Sequence, residues 1–358
     1  MGRIASRGKS RWGRLAAILA LAAAATLQGI GSARDAGGTA PQLPYLAYPS
    51  DDRLTLAGRL VRPEAEIRQE ERIRAEMARV AASQNYQPHP AIWRISDRDT
   101  TIYLFGTVHS LPPGFRWRNP GLEAVVVRAD SLLLESVDDA NSKVSFLDGI
   151  SKEAAGAMPP LLDRVSHRYR AKLAQIQSLL PPEAIKEMDS EPTWLAAMGV
   201  GFVRDLMMGD MPGQGADDWL EQHFRAIGRP VEAIENSHNV VAKINSVPEA
   251  AQRMMLEAAL AAPDRTHAEL DAPAQAWAQG QVGIDSPLMI QRTDLDPSGA
   301  LNDPLLAERN AAWVEYLLGR LRQGPRHDPV RGGRGAFRRA GIGDRPAPEA
   351  WRFVERVQ

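Results

Sequence analysis

The sequence predicts a helix-rich α/β fold, because a strand–helix–strand unit is followed by a long run of helical segments. Thr101–Phe105 is rich in β-branched and aromatic residues and ends at Gly106, which is typical of a buried strand. Residues 119–128 are predicted to form a helix, and residues 131–135 a second strand. The three elements fit within about 35 residues, the size of a βαβ unit, so we expect the two strands to be parallel.

The middle of the chain is predicted to be helical, with a third strand inside it. Residues 161–180 carry apolar side chains at steps of three and four, the spacing of a helix with one buried face. Residues 194–208 are apolar and rich in methionine, and we interpret them as a buried core helix rather than a cofactor-binding or membrane segment. Residues 230–235 form the predicted third strand. Further helices are predicted at residues 217–227, at 248–261 and from about 303 to 321.

The N-terminus has the order of a secretory signal peptide. Five basic residues precede position 15, residues 15–27 are uncharged and rich in Ala and Leu, and small residues follow at 31–33. The apolar run is short for a membrane span, which needs roughly 20 residues. We therefore predict a signal peptide at residues 1–33, a periplasmic or secreted protein, and no stable membrane span after cleavage. The alternative is an uncleaved N-terminal anchor.

Charge and cysteine content narrow the class of protein. Removal of residues 1–33 takes away five positive charges and changes the formal net charge from -1 to -6. A mildly acidic protein is a poor candidate for a nucleic-acid partner. The chain has no cysteine, so it has neither disulfides nor thiol chemistry, which suits an oxidising periplasm.

Two regions flank the predicted α/β domain, which we place at residues 89–323. Residues 34–88 are predicted to be a linker with a charged helix at 63–82, interpreted as a solvated helix outside the core. Residues 324–358 form an atypical tail, because Arg, Gly and Pro make up 18 of its 35 residues. This tail is either a basic binding segment or a disordered end.

His109 and Glu135 are the first candidates for chemistry. Each comes at or just after the end of a predicted strand, where parallel strands open onto a crevice. Gly106, three residues before the histidine, allows close approach of the backbone to a ligand. If the two strands are neighbours, the imidazole and the carboxylate emerge at one edge and form half of a metal site. A catalytic site of this kind needs at least three protein ligands, and a lone histidine is more often structural.

The sequence Gly106-Thr107-Val108-His109 and its surroundings resemble the TraB/PrgY/GumN family, which includes the animal Tiki proteins. The similar segments keep the family's order across residues 90–320. They are residues 92–96, 101–109, 111–113, 129–135, 215–220, 228–232 with Glu235, and 308–313. The positions that match family motifs, besides His109 and Glu135, are Gly106, Asp217, Glu235, Glu308, Arg309 and Asn310.

The resemblance implies a mixed central sheet with a helix-rich insertion and flanking helices. It also implies a metal-dependent hydrolase that cleaves a peptide or protein substrate, with manganese, cobalt or zinc as the divalent metal. His109 matches the family's first histidine, and Glu135 matches its glutamate, so Glu135 is both a metal ligand and a catalytic candidate. Arg309 is the other catalytic candidate: it either stabilises an oxyanion or pairs with a buried acid such as Glu235, and we favour the pair.

The second G-x-x-H motif of the family pattern is missing from its expected place, a hydrophobic strand shortly after the Glu308 helix. Gly324-Pro325-Arg326-His327 matches only literally, because no predicted strand precedes it. Permitted codons for residues 330–339, shifted by one base, encode Phe-Ala-Val-Gly-Ala-Gly-His-Phe-Ala, which restores both strand and motif. We therefore hypothesise a compensated frameshift in the tail, which is excluded if the true codons give no such motif in either alternative frame.

Two functions follow from the sequence. The first is an exported, metal-dependent, peptidase-like hydrolase, impaired by the loss of the second G-x-x-H motif. The alternative is a non-catalytic envelope protein that binds a peptide or polysaccharide partner. A serine hydrolase finds little support, since the sequence contains no G-x-S-x-G motif.

Overall fold

A six-stranded mixed sheet lies at the centre of the fold, which confirms the predicted α/β class. The computed structural model describes residues 55–56, 59–60, 64–97, 99–137, 158–288, 299, 308–322, 336–338 and 355–358. The strands are β1 (Thr55–Leu56), β2 (Arg59–Leu60), β3 (Ile92–Ser96), β4 (Thr101–Phe105), β5 (Ser131–Leu134), β6 (Val231–Ala233), β7 (Ala336–Arg338) and β8 (Glu355–Arg356). β1 and β2 form a separate two-stranded ladder, and the central sheet has the order β6-β5-β7-β4-β3-β8.

Of the described helices after β5, five overlap predicted helices, whereas those at Pro182–Ser190, Ser237–Asn245 and His267–Ala278 were not predicted. They are α1 (Glu64–Ser83), α2 (Pro120–Arg128), α3 (His167–Gln177), α4 (Pro182–Ser190), α5 (Thr193–Met207), α6 (Ala216–Ala226), α7 (Ser237–Asn245), α8 (Glu249–Ala261), α9 (His267–Ala278) and α10 (Glu308–Arg322). In the described parts of the chain, no helix is both long enough and apolar enough to cross a membrane. The predicted signal peptide, residues 1–33, lies outside the described residues.

The predicted βαβ unit consists of β4, α2 and β5. Asn119 begins α2, since its side-chain oxygen accepts a hydrogen bond from the Leu122 backbone N–H at 2.8 Å, and Pro120 occupies the first helical turn. The buried face of α2 carries Leu122, Val125 and Val126. This apolar face covers the strongly buried strands β4 and β5, so local sequence and packing specify the same structure.

β4 and β5 are parallel but are not hydrogen-bonded neighbours, because β7 lies between them. β7 pairs in parallel with both strands, with Ala336 opposite Ile102 on one side and Ser131 on the other. The sequence left open whether the strands before His109 and Glu135 are neighbours. They are not, because β7 separates β4 from β5. The backbone groups of β4 and β5 that face each other need partners, and residues 336–338 of the tail supply them. Two short segments of the tail, β7 and β8, are thus strands of the central sheet.

The helical insertion has a hydrophobic core of its own. Its centre is the pair α5 and α8, around which α3, α4 and α7 pack, and Leu161, Leu173 and Leu256 are fully buried there. The apolar segment predicted at 194–208 is indeed a core helix. Arg164 is only 1% exposed, and it is accommodated because its guanidinium donates to the carbonyls of Pro159 and Glu191 at 2.7 Å each.

α1 is packed against the α/β core, so its interpretation as a solvated helix outside the core is wrong. Val80 is fully buried in the same cluster as Ile92 and Phe105. Arg79 joins the helix to α9, since it donates to Glu76 in its own helix and to Asp271 at 2.6 Å. The sequence pattern was misleading here because paired charges, rather than apolar residues, make up much of the docked face.

Candidate active site at the carboxyl edge of the sheet

The parallel strands β4, β5, β6 and β7 place their carboxyl ends at one edge of the sheet. His109 lies in the loop that follows β4, and Glu135 immediately follows β5. The ladder between β5 and β6 continues past the strand ends, because the Glu235 N–H donates to the Glu135 carbonyl at 3.1 Å. Since neighbouring strands are about 4.8 Å apart, β4 and β5 are about 10 Å apart across β7 at this edge.

His109 contacts a carboxylate from a distant part of the chain. Its Nδ1 lies 2.7 Å from Oδ2 of Asp217, which is in the first turn of α6. The His109 side chain is 32% exposed and that of Asp217 is 21% exposed. The N-terminus of a helix stabilises a carboxylate anion, so α6 favours the charged form of Asp217. A histidine backed by a carboxylate in this way has its ring orientation fixed.

Close backbone packing sets the position of this pair. The Ala216 N–H donates to the Val108 carbonyl at 2.8 Å, which docks the start of α6 on the loop after β4. A Cβ atom at Gly215 would lie 2.2 Å from the His109 carbonyl oxygen, and one at Gly213 would lie 2.6 Å from the Leu111 carbonyl oxygen. Only glycine allows these two loops to approach so closely.

Gly106 is held in place through its backbone carbonyl. Its carbonyl accepts a hydrogen bond from the Trp277 indole Nε1–H at 2.8 Å. Trp277 packs against Phe105 and Trp117, with ring centroids 5.8 Å and 5.6 Å away. This aromatic cluster packs against the end of β4 and fixes the start of the loop that carries His109.

Glu135 is linked to α10 through Arg309. Nη2 of Arg309 lies 3.4 Å from Oε2 of Glu135, and Nε donates to Oε2 of Glu235 at 2.9 Å. Trp313 also donates to Glu235, from its indole nitrogen at 3.3 Å. Burial lowers the pKa of Arg309, but the hydrogen bonds and charges of Glu235 and Glu135 outweigh burial and raise it above its usual value. The favoured pairing of Arg309 with Glu235 is confirmed, and Glu135 joins it.

Three further residues singled out by the sequence have different surroundings. Glu308 is a surface residue whose carboxylate pairs with Lys243 Nζ at 2.7 Å, and its side chain is 63% exposed. Asn310 is half-buried in the first turn of α10. His327 lies outside the described residues. Of the motif positions in α10, Arg309 is therefore the one that the structure brings to the sheet edge.

The environment of Asp218, next to the His109 partner, was not predicted. Burial, together with the adjacent charge of Asp217, raises the pKa of Asp218 to about 6. The contact between His109 and Asp217 was missed as well, since 108 residues separate the two in sequence. The available signal was the run Gly215-Ala216-Asp217-Asp218, in which acidic residues open a helix after a glycine.

The donors at this edge fit a divalent metal in part. An imidazole nitrogen and a carboxylate are both ligands for manganese, cobalt or zinc. The carboxylate behind His109 is the arrangement that accompanies most metal-ligating histidines. Within the described ranges, however, no group of three His, Cys, Asp or Glu side chains could hold a metal ion.

Comparison with known proteins gives one result. The family model described as TraB/PrgY/gumN family matches residues 91–329, which includes the sheet strands β3 to β6, the helical insertion and α10. Comparisons with curated proteins and with solved structures gave no match. The matched range covers more than half of the chain and contains the residues at the carboxyl edge of the sheet, so the chain belongs to the TraB/PrgY/gumN family.

Proposed function

We propose that the protein is an exported, metal-dependent hydrolase that acts on peptide bonds and that is impaired in this chain. The observation that carries the proposal is His109, backed by Asp217 at 2.7 Å, at the sheet edge where Glu135 also lies. His109 and Glu135 would hold the metal, which would polarise a peptide carbonyl and activate water when bound. The signal-like N-terminus supports export to the periplasm or beyond.

Arg309 supports the proposal as the group that orients Glu135. Its guanidinium is held by Glu235 in a two-point contact and by Trp313, whose ring lies 4.9 Å from the guanidinium carbon. An arginine fixed in this way places a positive charge beside the Glu135 carboxylate and holds that carboxylate at the edge. An ionised carboxylate is the form that binds a divalent metal or accepts a proton from water.

The proposed loss of activity results from a missing metal ligand at the centre of the sheet's carboxyl edge, where β7 ends. A ligand at the carboxyl end of the central strand would lie between His109 and Glu135. In the hypothetical restored sequence the histidine falls at position 336, so its strand would have to precede that position rather than span Ala336–Arg338. As written, the strand places Arg338 opposite Leu104 in the middle of the sheet. Interior parallel strands are usually continuous hydrophobic runs, so an arginine at this register position conflicts with the fold.

The test is peptide hydrolysis with and without added Mn²⁺, by a chain in which Phe-Ala-Val-Gly-Ala-Gly-His-Phe-Ala replaces residues 330–338. We expect Mn²⁺-dependent cleavage of an unstructured peptide, lost on His109→Ala or Glu135→Gln in that chain. The matched control is His167→Ala, which removes an exposed histidine at the start of α3 in the helical insertion and should leave cleavage unchanged. Retention of activity in both site variants would overturn the proposal. Binding of a peptide or polysaccharide without cleavage would instead favour a non-catalytic envelope protein.

A further inference from the structure

We propose that Asp217 is a positioning residue that holds His109 in the Nδ1–H tautomer and thereby makes Nε2 the lone-pair nitrogen at the sheet edge. A neutral imidazole carries one proton, and the hydrogen bond made by one nitrogen decides which nitrogen holds it. The inference deepens the proposed function, because Nε2 is the atom through which His109 would bind a metal. The tautomer itself does not depend on that use.

The donor and acceptor roles follow from the geometry of the pair. Asp217 Oδ2 lies 2.7 Å from His109 Nδ1, which is the length of a charge-assisted hydrogen bond. An ionised carboxylate can only accept, so the proton in this contact belongs to Nδ1. The position of Asp217 in the first turn of the eleven-residue helix α6 favours the ionised form.

The backbone fixes the two residues independently of their side-chain bond. The Ala216 N–H to Val108 carbonyl bond and the close approach of Gly215 to the His109 carbonyl join the loop to the helix start. Replacement of the Asp217 side chain should therefore leave the His109 backbone in place while removing the acceptor at Nδ1. A purely structural role for Asp217 would change stability without changing the tautomer.

The test is the nitrogen chemical shifts and proton couplings of His109 in the full chain, labelled with ¹⁵N-histidine. Spectra are recorded at pH 9, where imidazole side chains are neutral. The chain has seven histidines, so the signals of His109 are identified by their absence in His109→Ala. We expect Nδ1–H in the unmodified chain and a change to Nε2–H, the form that free histidine prefers in water, in Asp217→Ala. The matched control is Asp218→Ala, which removes the same charge from the same helical turn and should retain Nδ1–H.

An Nε2–H tautomer in the unmodified chain would overturn the inference, whatever the Asp217→Ala variant shows. An unchanged tautomer in Asp217→Ala would overturn it as well. Mn²⁺ affinity by calorimetry, measured on the chain that carries the replaced segment at 330–338 and on its Asp217→Ala and Asp218→Ala variants, separates this inference from the proposed function. Loss of the Asp217 carboxylate should weaken binding by about 10- to 100-fold relative to Asp218→Ala. If the tautomer changes as expected but Mn²⁺ binds to none of the three chains, Asp217 positions His109 and the metal-dependent function fails.

Discussion

Arg309 joins the carboxylates of Glu135 and Glu235, which follow two neighbouring parallel strands. Its side chain is 12% exposed and that of Glu235 is 15% exposed, so water screens this contact poorly. Without the guanidinium, two carboxylates would face each other at the end of the sheet with no cation between them. The energetic role of Arg309 is therefore to make the charged edge compatible with folding.

We expect Arg309→Met to lower the free energy of unfolding by about 3–5 kcal/mol, because it leaves buried charges without their partner. Urea unfolding followed by circular dichroism measures the change. The control is Arg225→Met, which removes an exposed arginine paired with Glu221 one helical turn away and should cost less than about 1 kcal/mol. Equal losses in the two variants would show that the Arg309 cluster does not stabilise the sheet edge.

Asp210 is a half-buried carboxyl group with a predictable effect on stability. Burial raises its pKa to about 6, and the charges of Asp205, Asp271 and Glu76 add to the rise. An acid whose folded-state pKa lies above its unfolded value makes the folded state less stable once it ionises. The contribution of Asp210 to the free energy of unfolding therefore falls as the pH rises from about 4 to about 6, and it stays low above that range.

Asp210→Asn should raise the free energy of unfolding at pH 7.5 by on the order of 2 kcal/mol, since about two pKa units are removed. The gain should be much smaller at pH 4.5, where the native carboxyl is protonated. Urea unfolding at the two pH values measures the difference, with Asp285→Asn as a control at an exposed position. A gain of the same size at both pH values would contradict this account of Asp210.

At the scale of elements, the contact between the β4 loop and the start of α6 determines the site. This contact depends on Gly215, where a Cβ atom would meet backbone rather than a movable side chain. Gly201 in α5 is the opposite case, because a Cβ atom there would have no atom within 4 Å. The two glycines therefore form a matched pair for substitution.

Gly215→Ala should destabilise the protein by about 1–3 kcal/mol through overpacking and should shift the His109 imidazole signals. Gly201→Ala should stabilise it by up to about 1 kcal/mol, because alanine has the higher helix propensity. Thermal unfolding and the histidine NMR spectrum provide the two measurements. A stable Gly215→Ala variant with unchanged His109 signals would mean that the two loops are not closely docked.

The elements that local sequence patterns specify are the ones that could be predicted. β4, α2, β5 and the core helix α5 each have a clear apolar periodicity or a helix-start signal. β7 could not be predicted, since its Gly- and Arg-rich surroundings lack a strand pattern and its place depends on strands far away in sequence. The docking of α1 through Arg79 was missed for a related reason, because an ion pair rather than an apolar stripe makes the contact.

The candidate site was predictable in its residue types but not in its connections. His109 and Glu135 follow strands, and the need of a buried arginine for an acid suggested the pair of Arg309 and Glu235. No local pattern links His109 to Asp217, because that contact arises only when α6 docks on the β4 loop. Long-range contacts of this kind depend on the tertiary fold and leave little trace in a single sequence.

At the scale of the whole molecule, the chain has a helical core and an α/β core, and the site belongs to the second of these. The sheet edge collects residues from β4, β5, β6, α6 and α10, so its geometry depends on the complete sheet. β7 completes that sheet at its centre, so the proposed metal site would depend on the tail.

The most direct test of the central claim is the divalent metal content of the purified full chain, compared with the chain that carries the replaced segment at 330–338. Both are loaded with Mn²⁺, desalted and analysed by mass spectrometry of the element. We predict about one equivalent of metal in the replaced chain, little in the unmodified chain, and a loss of metal on His109→Ala in the replaced chain. If neither chain retains metal, or if His109→Ala retains it fully, the metal-dependent hydrolase account is contradicted.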